Sequence, residues 1–197
     1  MKKLMLFISA VLILLASCRE RIQNTELLDF IGNINSEKDE VLIFFSDSCL
    51  SPMIDHINQQ HEQINSADGG YLILNREDSI ALRNNYRKLL DKLVAGRNNI
   101  KKVKDYPDAN FFKQNAIENF EELEITIKGD FNEMINALLI ADYHENNKEY
   151  MLGLVKSISE KVAEINHKNS ANLNQIMKKF DAGNKEDQKY LKERYGM

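Results

Sequence analysis

The most regular feature of the chain is the recurrence of apolar residues at steps of three or four over three long stretches. This spacing places them on one face of an α-helix. The first stretch follows Asp78-Ser79 and stops at Asp105-Tyr106-Pro107-Asp108, with Gly96 as an interruption that costs about 1 kcal/mol relative to alanine. The second begins behind Asp108 and continues past Gly129-Asp130. The apolar positions of the first stretch are Leu82, Tyr86, Leu89, Leu90, Leu93, Ile100 and Val103. Those of the second are Phe112, Ala116, Phe120, Leu123, Ile127, Phe131, Met134, Ile135 and Leu138.

The third stretch predicts one long helix near the C-terminus. It runs from Met151 to Phe180 and ends at Ala182-Gly183-Asn184, and we expect residues 185–197 to form a polar tail. Short turns between long amphipathic helices favour antiparallel neighbours.

The first half of the chain has a weaker pattern. Thr25-Glu26 opens a predicted helix, and Val41–Phe45 within it also fits a buried strand, although we favour a helix. Ser51-Pro52 predicts a new helix start, because a capping residue precedes a proline at the first helical position. That helix ends before Gly69-Gly70, and Tyr71–Leu74 fits either a helix or a strand. We therefore predict an all-α fold: an up-and-down antiparallel bundle of about four to five helices in one domain, residues 26–197.

The first residues have a different character. Lys2-Lys3 precedes Leu4–Ala16, thirteen residues that are apolar except for Ser9. This segment is shorter than the roughly 20 residues that span a bilayer, and it matches the charged and apolar regions of a signal peptide.

The end of this segment, Leu15-Ala16-Ser17-Cys18, resembles the lipobox of bacterial prolipoproteins. The resemblance implies that a signal peptidase cleaves between Ser17 and Cys18 and removes residues 1–17. It also implies that Cys18 carries two or three acyl chains and that residues 18–25 form a tether. Two chains give firm membrane anchoring. Arg19 and Glu20 follow Cys18, with no Asp immediately after it, which resembles the outer-membrane default of enterobacterial lipoproteins. The alternative is an ordinary signal peptide in which Cys18 is incidental.

Charge and cysteine content narrow the function further. The formal net charge of −4 gives no basic surface for nucleic acid, so we expect no nucleic-acid partner. With Cys18 acylated, Cys49 is the second and last cysteine, so no intrachain disulfide forms. We predict that Cys49 is a buried, inert thiol. The alternative, a nucleophile, requires a base such as His56 seven residues away.

The chain lacks the phosphate-binding, zinc-protease, nucleophile-elbow and paired-cysteine motifs. Four groups of residues are candidates for a site: Glu164 with His167, His56 with His61, Asp142-Tyr143-His144-Glu145 with Glu149, and the carboxylates Asp39-Glu40 and Glu118 with Glu121 and Glu122. His167 should face water, and the two histidines point in different directions around one helix. We therefore predict no catalytic residue, no metal and no cofactor.

A second resemblance rests on Phe111–Ala116, Phe120–Leu123 and Phe180–Gln188. These segments resemble small helical-bundle surface lipoproteins of leptospires and flavobacteria, some of which bind host complement regulators or plasminogen. The resemblance implies a non-enzymatic lipoprotein at the outer membrane or cell surface that binds a protein. The alternatives are a periplasm-facing assembly or immunity lipoprotein, and a hydrolase or metal-binding protein centred on Asp142 and His144. The aromatic residues predicted to lie exposed on a binding face are Tyr71, Tyr86, Tyr106 and Tyr150.

Overall fold

The computed structural model describes residues 25–63, 76–139 and 148–197, and all of its regular structure is helical. The described residues contain no strand, so the predicted all-α class is confirmed. Two π-helical segments, π1 and π2, each connect two α-helices; π1 is continuous with its neighbours, whereas π2 contains a kink at Gly129, where the torsion angles are non-helical. The elements in chain order are α1 (25–44), π1 (Phe45–Leu50), α2 (Ser51–Gln63), α3 (Arg76–Lys102), α4 (Asn110–Thr126), π2 (Ile127–Phe131), α5 (Asn132–Leu139), α6 (Lys148–Lys179) and α7 (Lys185–Tyr195).

Contacts between neighbouring helices establish the up-and-down arrangement. Glu37 on α1 accepts hydrogen bonds from Asn99 on α3, and Glu40 on α1 pairs with Lys92 on α3. Residue numbers rise along α1 while those of their partners fall along α3, so the two helices are antiparallel. The same reversal relates α3 to α4 and α4 to α6. The contacts that show it are Arg97 with Glu124 at 2.9 Å, Tyr86 with Phe131 at 6.1 Å between ring centroids, Lys168 with Glu122 at 2.9 Å and Lys161 with Asp130 at 2.9 Å. The antiparallel bundle is thus confirmed.

The core lies where the apolar faces of these helices meet. Phe45 and Phe131 pack edge to face with centroids 5.0 Å apart, and both rings are almost fully buried. Burial of each such large apolar side chain stabilises the fold by about 1.5–3 kcal/mol. The other large, fully buried side chains are Leu27, Ile31, Ile34, Met53, Ile57, Leu89, Leu93, Ile100, Ile127 and Met134.

Gly96 has a packing role that its helix propensity does not show. A Cβ atom at this position would lie 2.9 Å from Cε1 of Phe120 on α4 and 3.5 Å from Cγ2 of Val41 on α1. Glycine therefore lets α3 approach both neighbours closely. The gain in packing offsets the propensity cost predicted from the sequence.

α2 begins at Ser51, but the chain is already helical there, so the prediction of a new, capped helix start at Ser51-Pro52 is wrong. Ser51 is helical, and its N–H donates to the carbonyl of Ser46, five residues earlier, so the helix continues through π1. Pro52 has no N–H, and its ring crowds the carbonyl of Ser48, four residues earlier. The wider π1 turn accommodates the proline, and Asn85 Nδ2 on α3 donates to the Ser48 carbonyl at 2.8 Å.

The π1 turn also keeps one apolar row facing the core. Val41, Phe45, Cys49, Met53 and Ile57 are all buried, and each lies four residues after the one before. In a regular α-helix a strict step of four drifts around the axis by about 40° each time. A local turn of longer period reduces this drift, so the row stays inside.

The predicted polar tail at 185–197 is wrong as well, because residues Lys185–Tyr195 form α7. Asn184 caps this helix through hydrogen bonds from the N–H groups of Glu186 and Asp187. Only Asp187 and Leu191 of α7 are buried. Its polar side chains hold it against α1 instead: Tyr190 and Tyr195 both donate to Oδ1 of Asp29, at 2.7 and 2.8 Å.

Two short apolar runs, residues 41–45 and Tyr71–Leu74, fit either a helix or a strand in the sequence. Residues 41–45 are helical, in α1 and the first position of π1, as favoured from the sequence. Tyr71–Leu74 and the glycine pair Gly69-Gly70 lie outside the described residues. None of the described helices combines the length and apolar composition that crossing a membrane requires.

Candidate functional site

The residues of the predicted lipidation site, Ser17 and Cys18, lie outside the described part of the chain, as does the cluster Asp142–Glu145. The predictions for these residues stay predictions. The described chain begins at Thr25, seven residues after Cys18.

Cys49 is a buried thiol, as predicted. Its side chain lies in π1 with an exposed fraction of 0%. Burial raises the pKa of this thiol to about 12, because the thiolate would lose its hydration in the core. At neutral pH the sulfur therefore stays protonated, which is the inert state.

Among the described residues, the histidines and their neighbours do not assemble into a metal centre. His167 is exposed, as predicted, and Glu164 forms an ion pair with Lys168 at 3.1 Å. The side chain of His61 lies outside the described residues. Across the described ranges, no three His, Cys, Asp or Glu side chains are placed to hold a metal ion.

The carboxylates considered as acid–base pairs serve as surface contacts. Glu122 pairs with Lys168 across the α4–α6 interface, and Glu121 lies 3.9 Å from Arg97 on α3. The remaining members do the same: Glu118 accepts from Gln114, Asp39 lies 4.0 Å from Lys38 and Glu40 pairs with Lys92.

The tyrosines predicted to form an exposed aromatic face are packed against the bundle instead. Tyr86 lies against Phe131, and the Tyr106 ring meets Phe180 edge to face at 5.5 Å. Both side chains, and that of Tyr150, are half-buried, and burial is the main cause of the raised pKa values of Tyr86 and Tyr106. Tyr71 lies outside the described residues. The prediction of an exposed tyrosine face is therefore wrong for Tyr86, Tyr106 and Tyr150.

The exposed apolar surface lies elsewhere and consists of aliphatic side chains. The most exposed are Ile125 on α4 at 72% and Ile43 on α1 at 60%, followed by Ile80, Val94 and Leu152. Single exposed aliphatic residues are common on soluble proteins. Ile43 differs from Ile125 because it borders a depression of the surface.

That depression, which we call the α1–α6 groove, has a volume of about 430 Å³. One wall comes from the end of α1 and from π1, and the other wall comes from the middle of α6. Its lining combines six apolar side chains with four polar ones. The residues that line it are Leu42, Ile43, Phe45, Ser46, Asp47 and Leu50 on one side, and Ser159, Val162, Ala163 and Asn166 on the other.

The sequence of α6 explains why a groove forms there. Ser159 and Ala163 stand one helical turn apart and carry small side chains, whereas the first helix presents larger aliphatic residues opposite them. Small side chains on one wall leave space that a larger residue would fill. The small residues Ser159 and Ala163 can be seen in the sequence of α6, but the sequence does not show that α1 lies opposite them.

A second depression of about 360 Å³ lies beside π1, between the start of α2 and the start of α3. Asp55, His56 and Asp78 line it together with Asn85, whose amide donates to the Ser48 carbonyl. The π1 turn thus shapes this cleft as well as the core. Its lining carries the two carboxylates Asp55 and Asp78 and also includes apolar residues such as Met53 and Leu82.

Between α4 and α6 the core contains one polar pair. Asn119 Nδ2 donates to Oδ1 of Asn169 at 2.6 Å, and both side chains are buried. A buried hydrogen bond between two helices favours one register over its neighbours. We assign this pair a structural role, since it holds in place the helix that forms one wall of the groove.

Comparisons with protein-family models, with curated proteins and with solved structures find no match for this chain.

Proposed function

We propose that this protein is a lipid-anchored, non-enzymatic protein of the bacterial cell envelope whose helical bundle binds another protein. The observation that carries the proposal is the segment Leu15-Ala16-Ser17-Cys18 at the end of the apolar run that starts at Leu4. A basic start, an apolar run of limited length, small residues and a cysteine stand in the order that lipoprotein processing requires.

The position of the bundle relative to Cys18 supports the proposal. The seven residues from 18 to 24 reach at most about 25 Å when fully extended. A bundle that begins at residue 25 would therefore stay close to the membrane surface. An acylated Cys18 would hold it there, since each buried methylene group contributes about 0.8 kcal/mol and two chains suffice for stable anchoring.

The binding role is supported by the surface of the bundle. Six of the ten side chains that line the α1–α6 groove are apolar, among them Ile43, which is 60% exposed. Exposed apolar surface with polar residues beside it is typical of a protein-interaction site.

Lipidation is tested by growing cells with labelled palmitate and separating the membrane and soluble fractions. We expect the wild type and Cys49→Ala to carry label in the membrane fraction, and Cys18→Ser to lose both the label and the membrane association. Cys49→Ala is the matched control, because it leaves Cys18 as the last thiol. A mature protein with an unlipidated N-terminus, detected by mass spectrometry, would contradict the proposal.

The side of the membrane is tested by treating intact cells with protease beside a periplasmic control protein. Loss of the protein while the control survives is the outcome we expect for a surface lipoprotein. Survival until the outer membrane is permeabilised would replace surface exposure with the alternative, a periplasm-facing assembly or immunity lipoprotein.

A further inference from the structure

One face of α1 changes from covered to uncovered halfway along the helix. Gly32, Asn35, Asp39 and Ile43 follow one another at steps of three and four, so they lie on the same face. Gly32 and Asn35 are buried, whereas Asp39 and Ile43 are exposed.

The covered half is occupied by α7. The Tyr195 ring lies so close to Gly32 that an added Cβ atom would be 2.3 Å from Cδ2 of the ring. Asn35 Nδ2 lies 3.8 Å from the Met197 sulfur, and α7 ends at this level with Gly196 in the left-handed conformation. This face of α1 therefore already accommodates a helix, up to the point where Asp39 begins the uncovered half.

The uncovered half opens into the α1–α6 groove. Ile43 borders the groove from α1, and Ser159 and Ala163 from α6 leave room for a close approach. Leu152, which is 40% exposed, lies two turns before Ser159 on the same face of α6. From Leu152 to Asn166 this face is about 21 Å long at 1.5 Å per residue, which is the length of a helix of about four turns.

Charge specifies the helix further. Where α7 covers α1, Arg194 lies 3.4 Å from Asp29. On the uncovered half, Asp39 lies 4.0 Å from Lys38, whereas Asp47 lines the groove and takes part in none of the ion pairs found among the described residues. The charged side chain in the groove lining is therefore acidic, and it matches a helix with cationic side chains beside its apolar face.

We propose that the α1–α6 groove binds an amphipathic helix of a protein partner, with large aliphatic side chains facing the groove and lysine or arginine on its flanks. This proposal rests on the proposed function, since it names the surface and the chemistry through which the bundle would bind a protein. Helix-in-groove recognition of this type uses apolar anchors at steps of three and four on the bound helix.

The test uses the mature chain, residues 18–197 with Cys18→Ser, at physiological ionic strength. One probe is a synthetic helical peptide of about 14 residues with leucine at steps of three and four and lysine elsewhere; the other has glutamate in place of lysine. Binding is measured by isothermal titration calorimetry. We expect the lysine peptide to bind at least about tenfold more tightly than the glutamate peptide, because like charges meet at Asp47 with the latter.

Two pairs of variants locate the site. Ile43→Ser and Asp47→Asn change the groove, while Ile125→Ser and Asp55→Asn change exposed residues of the same types elsewhere. We expect Ile43→Ser to weaken binding of the lysine peptide about tenfold, since a central apolar anchor carries a large share of such interfaces. The control variants should stay within about twofold of the wild type, which is the scatter expected of substitutions outside the interface.

Equal binding of the two peptides, equal losses in Ile43→Ser and Ile125→Ser, or no binding would each overturn the proposal. So would a dimer, detected by light scattering, that Ile43→Ser dissociates, because the occupant would then be a second copy. A photocrosslinking residue at 43, 80 or 125 in cells separates this proposal from the function. A partner protein crosslinked at 80 or 125 but not at 43 overturns the groove as the binding site and leaves the proposed protein-binding function intact. No crosslink at any of the three positions overturns both the groove proposal and the proposed protein-binding function.

Discussion

The hydrogen bond from Asn85 to the Ser48 carbonyl leads to a quantitative prediction about π1. Replacement of Asn85 by leucine keeps a similar volume and removes the Nδ2 donor, which lies 2.8 Å from the carbonyl oxygen. A hydrogen bond of this kind contributes about 0.5–1.5 kcal/mol, and a buried carbonyl left without a donor costs about 1–3 kcal/mol. The cost of the unsatisfied carbonyl is at the low end of this range because the contact is part-buried, and the higher helix propensity of leucine offsets some of it. We therefore expect Asn85→Leu to lower the free energy of unfolding by about 1 kcal/mol.

The physical cause is tested with a second substitution. Pro52 deprives the Ser48 carbonyl of the N–H that residue 52 would donate in a regular α-helix. In a Pro52→Ala chain that N–H is restored, so Asn85→Leu should cost less than about 0.5 kcal/mol. The coupling energy of the double-mutant cycle should then be about 0.5–1 kcal/mol, and the effect of proline on the unfolded chain cancels in the cycle.

The assay is urea denaturation followed by circular dichroism, with an unchanged m-value as the condition for comparing free energies. Asn84→Leu, at the exposed neighbouring position, is the matched control and should stay within about 0.5 kcal/mol of the wild type. An equal cost of Asn85→Leu in the wild-type and Pro52→Ala backgrounds would refute the reasoning, because the amide would then act on something other than the carbonyl beside the proline.

Three further predictions concern the core and the α7 contact. In Gly96→Ala, overpacking against Phe120 should cost about 1–3 kcal/mol of stability, and the higher helix propensity of alanine should return about 1 kcal/mol of it. Phe120→Leu in the same chain should restore part of the lost stability. Urea denaturation that finds Gly96→Ala as stable as the wild type would contradict this prediction. Cys49 should react with a disulfide reagent only after unfolding, since it is buried with a pKa raised to about 12; reaction of the native protein at the rate of a free thiol would count against it. Burial and the hydrogen bond to Asp29 raise the pKa of Tyr195 from 10.0 to about 12, so its contribution to stability is complete below pH 10 and is lost as the pH rises towards 12. Tyr195→Phe should therefore flatten the fall in the free energy of unfolding over this range, and parallel curves for the variant and the wild type would exclude this cause.

The long helices were predictable because their cause is local. The apolar rows of α3, α4 and α6 recur at the helical period, and the turns between α3 and α4 and after α6 are marked by proline, glycine and aspartate. The burial of Cys49 was predictable for the same reason, since apolar residues flank it on both sides. The kink at Gly129 was not predicted, because the apolar row continues across it from Ile127 to Phe131; the structure places it in π2 with non-helical torsion angles.

Other features depend on contacts between distant parts of the chain. The helix passes through Ser51-Pro52 because the π1 turn and Asn85, 37 residues away from Ser48, accommodate the proline. The last eleven helical residues, α7, bury one aliphatic side chain, that of Leu191, and polar contacts to Asp29, which is 161 residues away from Tyr190, hold them in position. A pattern of apolar positions carries no information about such polar contacts.

The helical class, the antiparallel order of the long helices and the burial of Cys49 could be predicted from the sequence, because each follows from the period of apolar residues and from short turns. The sequence also carries the whole basis for the predicted lipid anchor at Cys18. Packing between helices instead set the exposure of individual side chains such as those of Tyr86 and Tyr106, which lie against the core, and Ile43, which is exposed. Packing also brings α1 and α6 to the two sides of one groove, which the sequence does not show because more than a hundred residues separate Ile43 from Ser159 along the chain and no local preference relates them.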